Sequence, residues 1–262
     1  MKIALVQMTS VPDIETNINF ISNSIIKAKD NFADIVLFPE NCGFMGPGKL
    51  MFDNARYEKS HLVLKISKEL AKKNSIFVLL GSIAVLKKMN NILKMVNRSY
   101  FIDNNGEIIG KYDKIHMFDA IISQNEIYKE SDRYHAGSKV VNVKNKLGNF
   151  GLSICYDLRY PELYTKLVKR GVDIITIPSA FTVNTGKDHW EVLLRSRAIE
   201  TSCWVLAPAQ VGNHYGKRIT WGHSMVIDPW GRVVSEAGKK QGIIYANIKR
   251  DLSKKIKSNW GL

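Results

Sequence analysis

Short apolar runs alternate with amphipathic stretches along the first third of the chain. Residues 2–8 ("KIALVQM"), 33–40 ("ADIVLFPE") and 75–85 ("SIFVLLGSIAV") are nearly continuous apolar runs, which are typical of buried strands. One helix is predicted between the first two runs and another over residues 59–73. The first helix has apolar residues at spacings of three or four on one face: Ile14, Ile18, Ile21, Ile25, Ala28 and Phe32.

The second half of the chain repeats this alternation. Four further apolar runs predict strands: "NFGLSI", "VDIITIPS", "CWVLAPA" and "GIIYANI". Helices are predicted over 161–170 and 187–202, and hairpins over 99–113 and 222–234, the first around an Asn-Gly turn. The runs "ADIVLFPE" and "VDIITIPS" share Asp-Ile near the start and a proline followed by a polar residue at the end. This similarity indicates two structurally related halves, each a sheet with helices on one face.

Composition and charge narrow the class of protein. The chain is 45% hydrophobic and 24% charged, and no linker or low-complexity segment divides it, so one α/β domain over residues 1–262 is predicted. The net charge of +14 invites a nucleic-acid-binding interpretation. However, the basic residues are scattered in singles and pairs without interleaved aromatics, which favours a lysine-rich solvated surface.

The cysteine content and the apolar runs indicate a cellular compartment. Three widely spaced cysteines argue against a disulfide framework and fit a reducing environment. The N-terminal apolar run is too short for a signal peptide, and no stretch approaches the roughly 20 apolar residues of a membrane helix. A soluble cytoplasmic protein is therefore predicted.

Candidate chemistry lies where buried strands end, because ligands bind at such ends in α/β folds. Glu40 follows "IVLFP" and can serve as a general base, although a glutamate at a strand end is more often a solvated residue. Cys155 follows "GLSI" at a helix start near Arg159, which favours a thiolate, although a lone cysteine is more often an inert core residue. Lys114, after a hairpin strand, can stabilise an oxyanion, although most loop lysines are simply solvated.

Other motifs carry weaker chemistry. The segment "GFMGPGKL" (43–50) nearly matches a phosphate-binding loop, but Leu50 replaces the required hydroxyl and Pro47 removes a backbone donor. His116 and Cys155 raise the alternative of a Cys–His pair, without a further local signature for it. No pair of histidines or cysteines has zinc-site spacing, so no metal site is predicted.

The candidate residues occur in a recognisable order, with Glu40 in "FPE", Lys114 in "YDKIH" and Cys155 in "ICYDLRYPEL". Together these motifs resemble the nitrilase, or carbon–nitrogen hydrolase, superfamily, and supporting segments extend the likeness over about residues 1–250. The resemblance implies a four-layer α-β-β-α sandwich, two sheets flanked by helices. It also implies a homodimer or larger homo-oligomer and an amidase for a small-molecule substrate, with neither metal nor cofactor.

The resemblance assigns a role to each of these residues. Glu40 accepts the thiol proton, Cys155 attacks an amide carbonyl, and Lys114 with the backbone N–H of Tyr156 stabilises the oxyanion. A second glutamate is expected between the lysine and the cysteine. Glu130 fits it best, and Glu126 is the competing candidate.

The segment "SAFTVNTGKDHWEVLLRSRAIET" resembles the deaminated-glutathione amidase branch of the superfamily, whose substrate yields 2-oxoglutarate and cysteinylglycine. Arg159 is a candidate clamp for an α-keto acid carboxylate, with an ion pair to Glu162 as the alternative. Further residues are expected to bind the substrate: Tyr156, Ser179, Phe181, Thr182, Thr185 and His189.

Two competing functions remain open at this point. An ω-amidase acting on 2-oxoglutaramate shares much of the pattern, and a non-catalytic basic module that binds nucleic acid is the alternative from another class. The joint presence of Glu40, Lys114 and Cys155 argues against the second, because loss of any one would disable the chemistry. Cys203 is expected to be structural, Cys42 to lie near the site, and Arg195, Arg197 and Glu200 to form internal ion pairs.

Overall fold

The computed structural model describes residues 1–89, 91–124 and 126–260. Its helices are α1 Ile14–Asp30, α2 Gly48–Asn54, α3 Leu62–Asn74, α4 Pro161–Val168, α5 Val183–Thr201 and α6 Arg250–Trp260. The strands of its first half are β1 Lys2–Gln7, β2 Ile35–Leu37, β3 Phe77–Met89, β4 Ile92–Ile102, β5 Ile108–Asp113, β6 Asp119–Ser123 and β7 Glu126–Lys129. Those of its second half are β8 Asn142–Asn145, β9 Gly148–Leu152, β10 Ile174–Thr176, β11 Trp204–Ala207, β12 Val211–Tyr215, β13 Arg218–Trp221, β14 Met225–Ile227, β15 Val233–Glu236 and β16 Gly242–Asn247.

Two six-stranded sheets have the same internal order. The first runs β16-β1-β2-β3-β4-β5 and the second β8-β9-β10-β11-β14-β15. In each sheet the successive pairs are antiparallel, parallel, parallel, antiparallel and antiparallel. β2 and β10, the strands of the two similar Asp-Ile runs, thus occupy equivalent places, so the predicted relation between the halves is seen in the structure.

The strand residues alternate between two buried surfaces. Ile3 and Leu5 belong to the core that also contains residues of the second sheet, such as Phe150, whereas Ala4 and Val6 pack with α1 and α3. Because side chains alternate across a strand, a sheet covered on both faces needs apolar residues at nearly every position. With α4 and α5 on the second sheet, the layers are α-β-β-α, which confirms the predicted fold.

Helix α3 begins at Leu62 rather than residue 59, α4 ends at Val168 rather than residue 170, and two further helix boundaries also differ from the sequence-based expectation. Helix α1 begins after the cap Asp13 but ends at Asp30, and Phe32 has a φ of 57° and is 85% exposed. Its assignment to the apolar helix face was wrong, because the turn after the helix points it into solvent. Helix α5 begins at Val183 rather than residue 187, because the hydroxyl of Thr182 accepts a hydrogen bond from the N–H of Thr185 and caps it.

Three of the units that the sequence analysis did not predict lie around one cavity. The segment "GFMGPGKL" leads into the short helix α2. Strands β6 and β7 form one small hairpin, and β12 and β13 form another. Residues of all three units line the cavity described below, so the irregular parts of the chain enclose the site while the regular sheets support it.

Gly81 joins the two sheets next to the site. It lies in β3 at a register shift, and a Cβ atom there would come within 2.0 Å of the carbonyl oxygen of Phe38 and 2.5 Å of Pro178. Phe38 and Pro178 belong to the segments that follow β2 and β10. Only glycine permits this approach, which brings the ends of the two sheets together.

Candidate active site

The three candidate catalytic residues come from both sheets and meet at one cavity. Glu40 follows β2, Lys114 follows β5, and Cys155 follows β9. The Lys114 Nζ lies 2.9 Å from Glu40 Oε1, and all three side chains line the same cavity of about 290 Å³. All three residues are buried, with Lys114 only 1% exposed. Their order in the sequence therefore corresponds to a real cluster in space.

Glu130 completes this cluster and Glu126 does not. The Lys114 Nζ lies 2.8 and 3.1 Å from the two carboxylate oxygens of Glu130, which also accepts a hydrogen bond from the backbone N–H of Phe118 at 2.7 Å. Glu126 instead accepts hydrogen bonds from Tyr128 and Asn184. Of the two glutamates left open by the sequence, Glu130 is the one in contact with the lysine.

Asn97 is a site residue that the sequence analysis missed. From β4 its side-chain amide donates to Glu40 Oε1 at 2.9 Å and to Glu130 Oε1 at 3.3 Å, and its carbonyl accepts the backbone N–H of Lys114 at 2.9 Å. It therefore holds all three groups of the buried ion cluster. A buried amide within the strand "KMVNRSYF" was the available signal, because a buried polar group requires partners.

Burial and charge set the protonation states in the cluster. Burial disfavours the ammonium of Lys114, but the carboxylates of Glu130 and Glu40 outweigh it and raise the pKa of Lys114 well above its usual range. Burial, together with the carboxylate of Glu40, raises the pKa of Cys155 far above that of a free thiol. The lysine is thus charged and the thiol neutral, so burial and Glu40 outweigh the features of the turn that favour a thiolate. Arg159, whose guanidinium lies 3.1 Å from the ring Nδ1 of His189, does not reverse this.

A tight turn presents Cys155. The residue has a φ of 50° and begins a 3₁₀ turn, and its N–H donates to the carbonyl of Pro178 at 3.0 Å. The first N–H groups of a helical turn have no acceptor within it. The N–H of Asp157 bonds to Ile154, which leaves the N–H of Tyr156, directly after the cysteine, as a donor at the turn.

Asp157 connects this turn to the segment that carries Lys114. Its fully buried carboxylate accepts hydrogen bonds from the N–H of Ile154, the hydroxyl of Tyr112 and the N–H of His116. The ring Nδ1 of His116 also lies 2.7 Å from it, and the ring stacks on Tyr160. His116 thus serves the support of the turn, and its contacts give no indication of a Cys–His pair.

The backbone of Glu40 is fixed from the opposite side. The Gln210 side chain donates to the carbonyl of Glu40 at 2.9 Å and exchanges hydrogen bonds with Ser10. Cys42, two residues further on, is buried beneath the site with its thiol toward the carbonyl of Ser82, and burial raises its pKa to about 12. Cys42 does not line the cavity. It therefore lies near the site without a contact to a substrate.

A smaller cavity meets the larger one at Cys155. It is lined by Arg159 and Tyr156 and by Phe181, Thr182 and Thr185, whereas Cys155, Phe118 and Ala180 line both cavities. The guanidinium of Arg159 lies 5.8 Å from the ring centres of Tyr156 and Phe181. Within the part of the chain that the structure describes, Arg159 has no ion pair with Glu162. The arginine is therefore presented to the small cavity.

Two expected substrate contacts lie elsewhere. Ser179 is fully buried, its hydroxyl donates to the carbonyl of Ile177, and it lines neither cavity, because its backbone pairs with the strand end at Pro208. His189 is exposed and contacts Arg159 rather than lining the cavity. Ser179 therefore has a structural role, and His189 contacts Arg159 from the side away from the cavity.

The remaining predicted positions are structural in their contacts. Arg197 donates to the carbonyl of Leu158 and pairs with Glu200 at 2.8 Å, and Arg195 pairs with Glu191. Cys203 is buried at the start of β11. Among residues 1–89, 91–124 and 126–260, no group of three or more histidine, cysteine or acidic side chains is placed to hold a metal ion. No helix in these ranges is long and apolar enough to cross a membrane.

The sequence profile of the carbon–nitrogen hydrolase family matches residues 2–258. The chain therefore belongs to this family, which confirms the resemblance to the nitrilase superfamily. It is 38% identical to a protein named deaminated glutathione amidase from Synechocystis sp., over 97% of this chain and 93% of that protein. It is 39% identical to a protein of the same name from Dictyostelium discoideum, over 90% of this chain and 82% of that protein.

Solved structures agree in fold. The NitFhit protein of Caenorhabditis elegans superimposes with a TM-score of 0.90 at 36% identity, covering 99% of this chain. This chain spans 63% of the length of that structure. Nit3 of Saccharomyces cerevisiae, described as a member of branch 10 of the nitrilase superfamily, superimposes with a TM-score of 0.89 at 29% identity, covering all of this chain and 94% of its own.

Proposed function

We propose that this carbon–nitrogen hydrolase is an amidase that cleaves deaminated glutathione into 2-oxoglutarate and cysteinylglycine through a thioester on Cys155. The observation that carries the proposal is the cluster in which Lys114, charged between Glu40 and Glu130, faces the cavity beside a neutral thiol. This arrangement supplies a base, a nucleophile and a cation at one point. The names of the related proteins from Synechocystis and Dictyostelium support the choice of substrate.

The first half of the reaction forms the acyl-enzyme. Glu40 accepts the thiol proton as Cys155 Sγ attacks the amide carbon, and the developing oxyanion is stabilised by Lys114 and the N–H of Tyr156. Glu40 then delivers that proton to the amide nitrogen, the C–N bond breaks and the amine leaves. Because the thiol is neutral at rest, its proton is available for the leaving nitrogen, so no external acid is needed.

The second half releases the acid. Glu40 accepts a proton from a water molecule as the water oxygen attacks the thioester carbon, with the oxyanion again held by Lys114. The C–S bond breaks and the sulfur recovers its proton from Glu40. Glu130 and Asn97 have no part in the proton transfers, and their role is to hold Lys114 and Glu40 in place.

Substrate recognition rests on Arg159. A guanidinium presents paired donors that match a carboxylate, and Arg159 lies at the small cavity that opens at the nucleophile. An α-keto acid carboxylate at this position places the acyl group beside Cys155. Both deaminated glutathione and 2-oxoglutaramate have such a carboxylate, so this contact alone does not separate the two substrates.

The test is release of 2-oxoglutarate from both substrates by the purified protein, Cys155→Ala and Cys203→Ala. Cys203 is a matched control because it is another buried cysteine and does not line either cavity. Faster turnover of deaminated glutathione, lost only in Cys155→Ala, is the expected result. Activity that survives in Cys155→Ala would overturn the mechanism, and faster turnover of 2-oxoglutaramate would make the protein an ω-amidase.

A further inference from the structure

The larger cavity has a set of cations that the mechanism does not use. Arg218, Arg133 and Lys129 line it together with the catalytic cluster. Among the residues that the structure describes, none of these three cations lies within 4.0 Å of a carboxylate. Glu40 and Glu130 are both engaged by Lys114. In the described residues the cavity wall therefore offers positive charge that no carboxylate pairs.

Arg218 is the cation that is held in a fixed position. Its Nη2 donates to the carbonyl of Ala180 at 2.8 Å, its Nη1 donates to the hydroxyl of Tyr128 at 3.0 Å, and it lies 5.0 Å from the centre of the Tyr128 ring. A guanidinium has five N–H donors, so donors remain for a ligand. Arg133, in contrast, is exposed and packs against the backbone of Gly48 at the rim.

The smaller cavity, whose volume is about 10 Å³, and the larger cavity meet at the nucleophile from two sides. Arg159 lines the smaller one, Arg218 lines the larger one, and Cys155 and Ala180 belong to both. The acyl group and the leaving group of an amide lie on either side of the attacked carbon. A substrate with its acyl carboxylate at Arg159 therefore extends its leaving group into the cavity of Arg218.

The size of the larger cavity indicates what leaves through it. Its volume is about 290 Å³, whereas a single water molecule needs roughly 10–15 Å³ on the same measure. A cavity many times larger than that is excessive for ammonia and has room for an amine of dipeptide size. Deaminated glutathione releases such an amine, and that amine ends in a carboxylate.

We propose that Arg218 binds the terminal carboxylate of the leaving dipeptide and so determines specificity for a leaving group with a free carboxylate. This inference rests on the proposed function and adds the recognition of the second half of the substrate. The contact is lost once the amine departs, so Arg218 affects formation of the acyl-enzyme and not its hydrolysis. Its contribution is expected in kcat/KM, with a larger change in KM than in kcat.

The experiment compares deaminated glutathione with its C-terminal carboxamide, which lacks only the terminal negative charge. The native enzyme is expected to prefer the carboxylate by about 10-fold in kcat/KM, the size of a partly exposed charge-assisted hydrogen bond. Arg218→Gln is expected to lose this preference, because its kcat/KM falls further on the carboxylate than on the carboxamide. Arg170→Gln is the matched control, because Arg170 also donates to a backbone carbonyl but lies outside both cavities.

A second measurement does not depend on any variant folding. Cysteinylglycine is expected to inhibit the native enzyme about 10-fold more strongly than cysteinylglycinamide. Equal turnover of carboxylate and carboxamide by the native enzyme would overturn the role of Arg218 alone, as would a preference that persists in Arg218→Gln. If the native enzyme hydrolyses neither deaminated glutathione nor its C-terminal carboxamide, both the proposed function and the role of Arg218 are overturned. Failure of the proposed function is therefore distinguishable from failure of the Arg218 assignment alone.

Discussion

Acidification is expected to destabilise the fold because two buried histidines have to remain neutral. His61 is 5% exposed and His214 is 4% exposed. Burial lowers the pKa of each to about 4, against about 6.5 for the free side chain. In His214 the Nδ1 lies 2.8 Å from the carbonyl of Ser10 and the Nε2 lies 2.7 Å from the hydroxyl of Thr220. Because a carbonyl only accepts, Nδ1 donates, and in the neutral ring Nε2 then accepts a hydrogen bond from the hydroxyl.

The magnitude follows from the difference between the folded and unfolded pKa. Between about pH 6.5 and 4 the unfolded chain binds more protons than the folded one, so the free energy of unfolding rises with pH. Each histidine contributes a slope of about 1.4 kcal/mol per pH unit. Full stability is present above about pH 6.5, and by pH 5 the two histidines together remove about 4 kcal/mol. This is a large part of the roughly 5–15 kcal/mol of a typical domain.

The assay is urea denaturation followed by tryptophan fluorescence at several values between about pH 5 and 6.5. His214→Gln is expected to reduce the slope of unfolding free energy against pH by about 1.4 kcal/mol per unit, whatever its effect on absolute stability. The exposed His189 provides the control, and His189→Gln is expected to leave the slope unchanged. If the unfolding free energy of His214→Gln has the same slope against pH as that of the native protein, His214 is not a source of the pH dependence.

Three further predictions concern the site. Gly81→Ala is expected to lower the unfolding free energy by about 1–3 kcal/mol and to reduce kcat, because its Cβ would lie 2.0 Å from a backbone oxygen where the sheets meet; native stability in urea would contradict this. Asn97→Ala is expected to lower kcat by about 10- to 100-fold with little change in KM, because it removes a donor shared by two carboxylates; steady-state kinetics on the variant test it, and an unchanged kcat would count against it. Glu40→Gln is expected to abolish turnover and to lower the pKa of Cys155, because the thiol remains buried but the nearby negative charge is gone. The pH dependence of Cys155 alkylation by iodoacetamide measures this pKa. An unchanged pH dependence would show that the charge of Glu40 does not raise the pKa of Cys155.

The regular layers of the fold could be predicted from the sequence because each strand is buried on both faces. A sheet covered by helices on one face and by another sheet on the other has no solvent-exposed face for polar side chains. Its strands are therefore apolar runs such as "KIALVQM". The hairpin of β6 and β7 gives no such signal. Its residues alternate between exposed and partly exposed positions, so periodicity did not separate it from a loop.

The candidate site was predictable only where a residue type carries chemistry by itself. Glu40, Lys114 and Cys155 could be identified in order, but the choice between Glu126 and Glu130 depends on which carboxylate turns toward Lys114. Glu130 lies in the short turn after β7, and its carboxylate accepts a hydrogen bond from the N–H of Phe118, which precedes β6. These contacts decide the direction of the side chain. Spacing along the chain contains no information about it.

Asn97 and Asp157 could not be assigned for a different reason. Apart from the local bond between Asp157 and the N–H of Ile154, their side-chain hydrogen-bond partners are distant in sequence. Asn97 and Glu40 are 57 positions apart, and Asp157 and Tyr112 are 45 positions apart. A buried polar residue indicates that hydrogen-bond partners exist, but it does not identify them. Only the packing of the two sheets supplies the identity of those partners.

The left-handed backbone of Cys155 sets stability against activity at a single position. A residue other than glycine with a φ of 50° costs about 1–3 kcal/mol, and glycine would avoid that cost while removing the thiol. Selection for thermal stability alone would therefore favour glycine at the position where catalysis requires cysteine. Stabilised forms of this protein must gain their stability elsewhere in the chain, and a drift to glycine at residue 155 would mark a lineage that has given up hydrolysis.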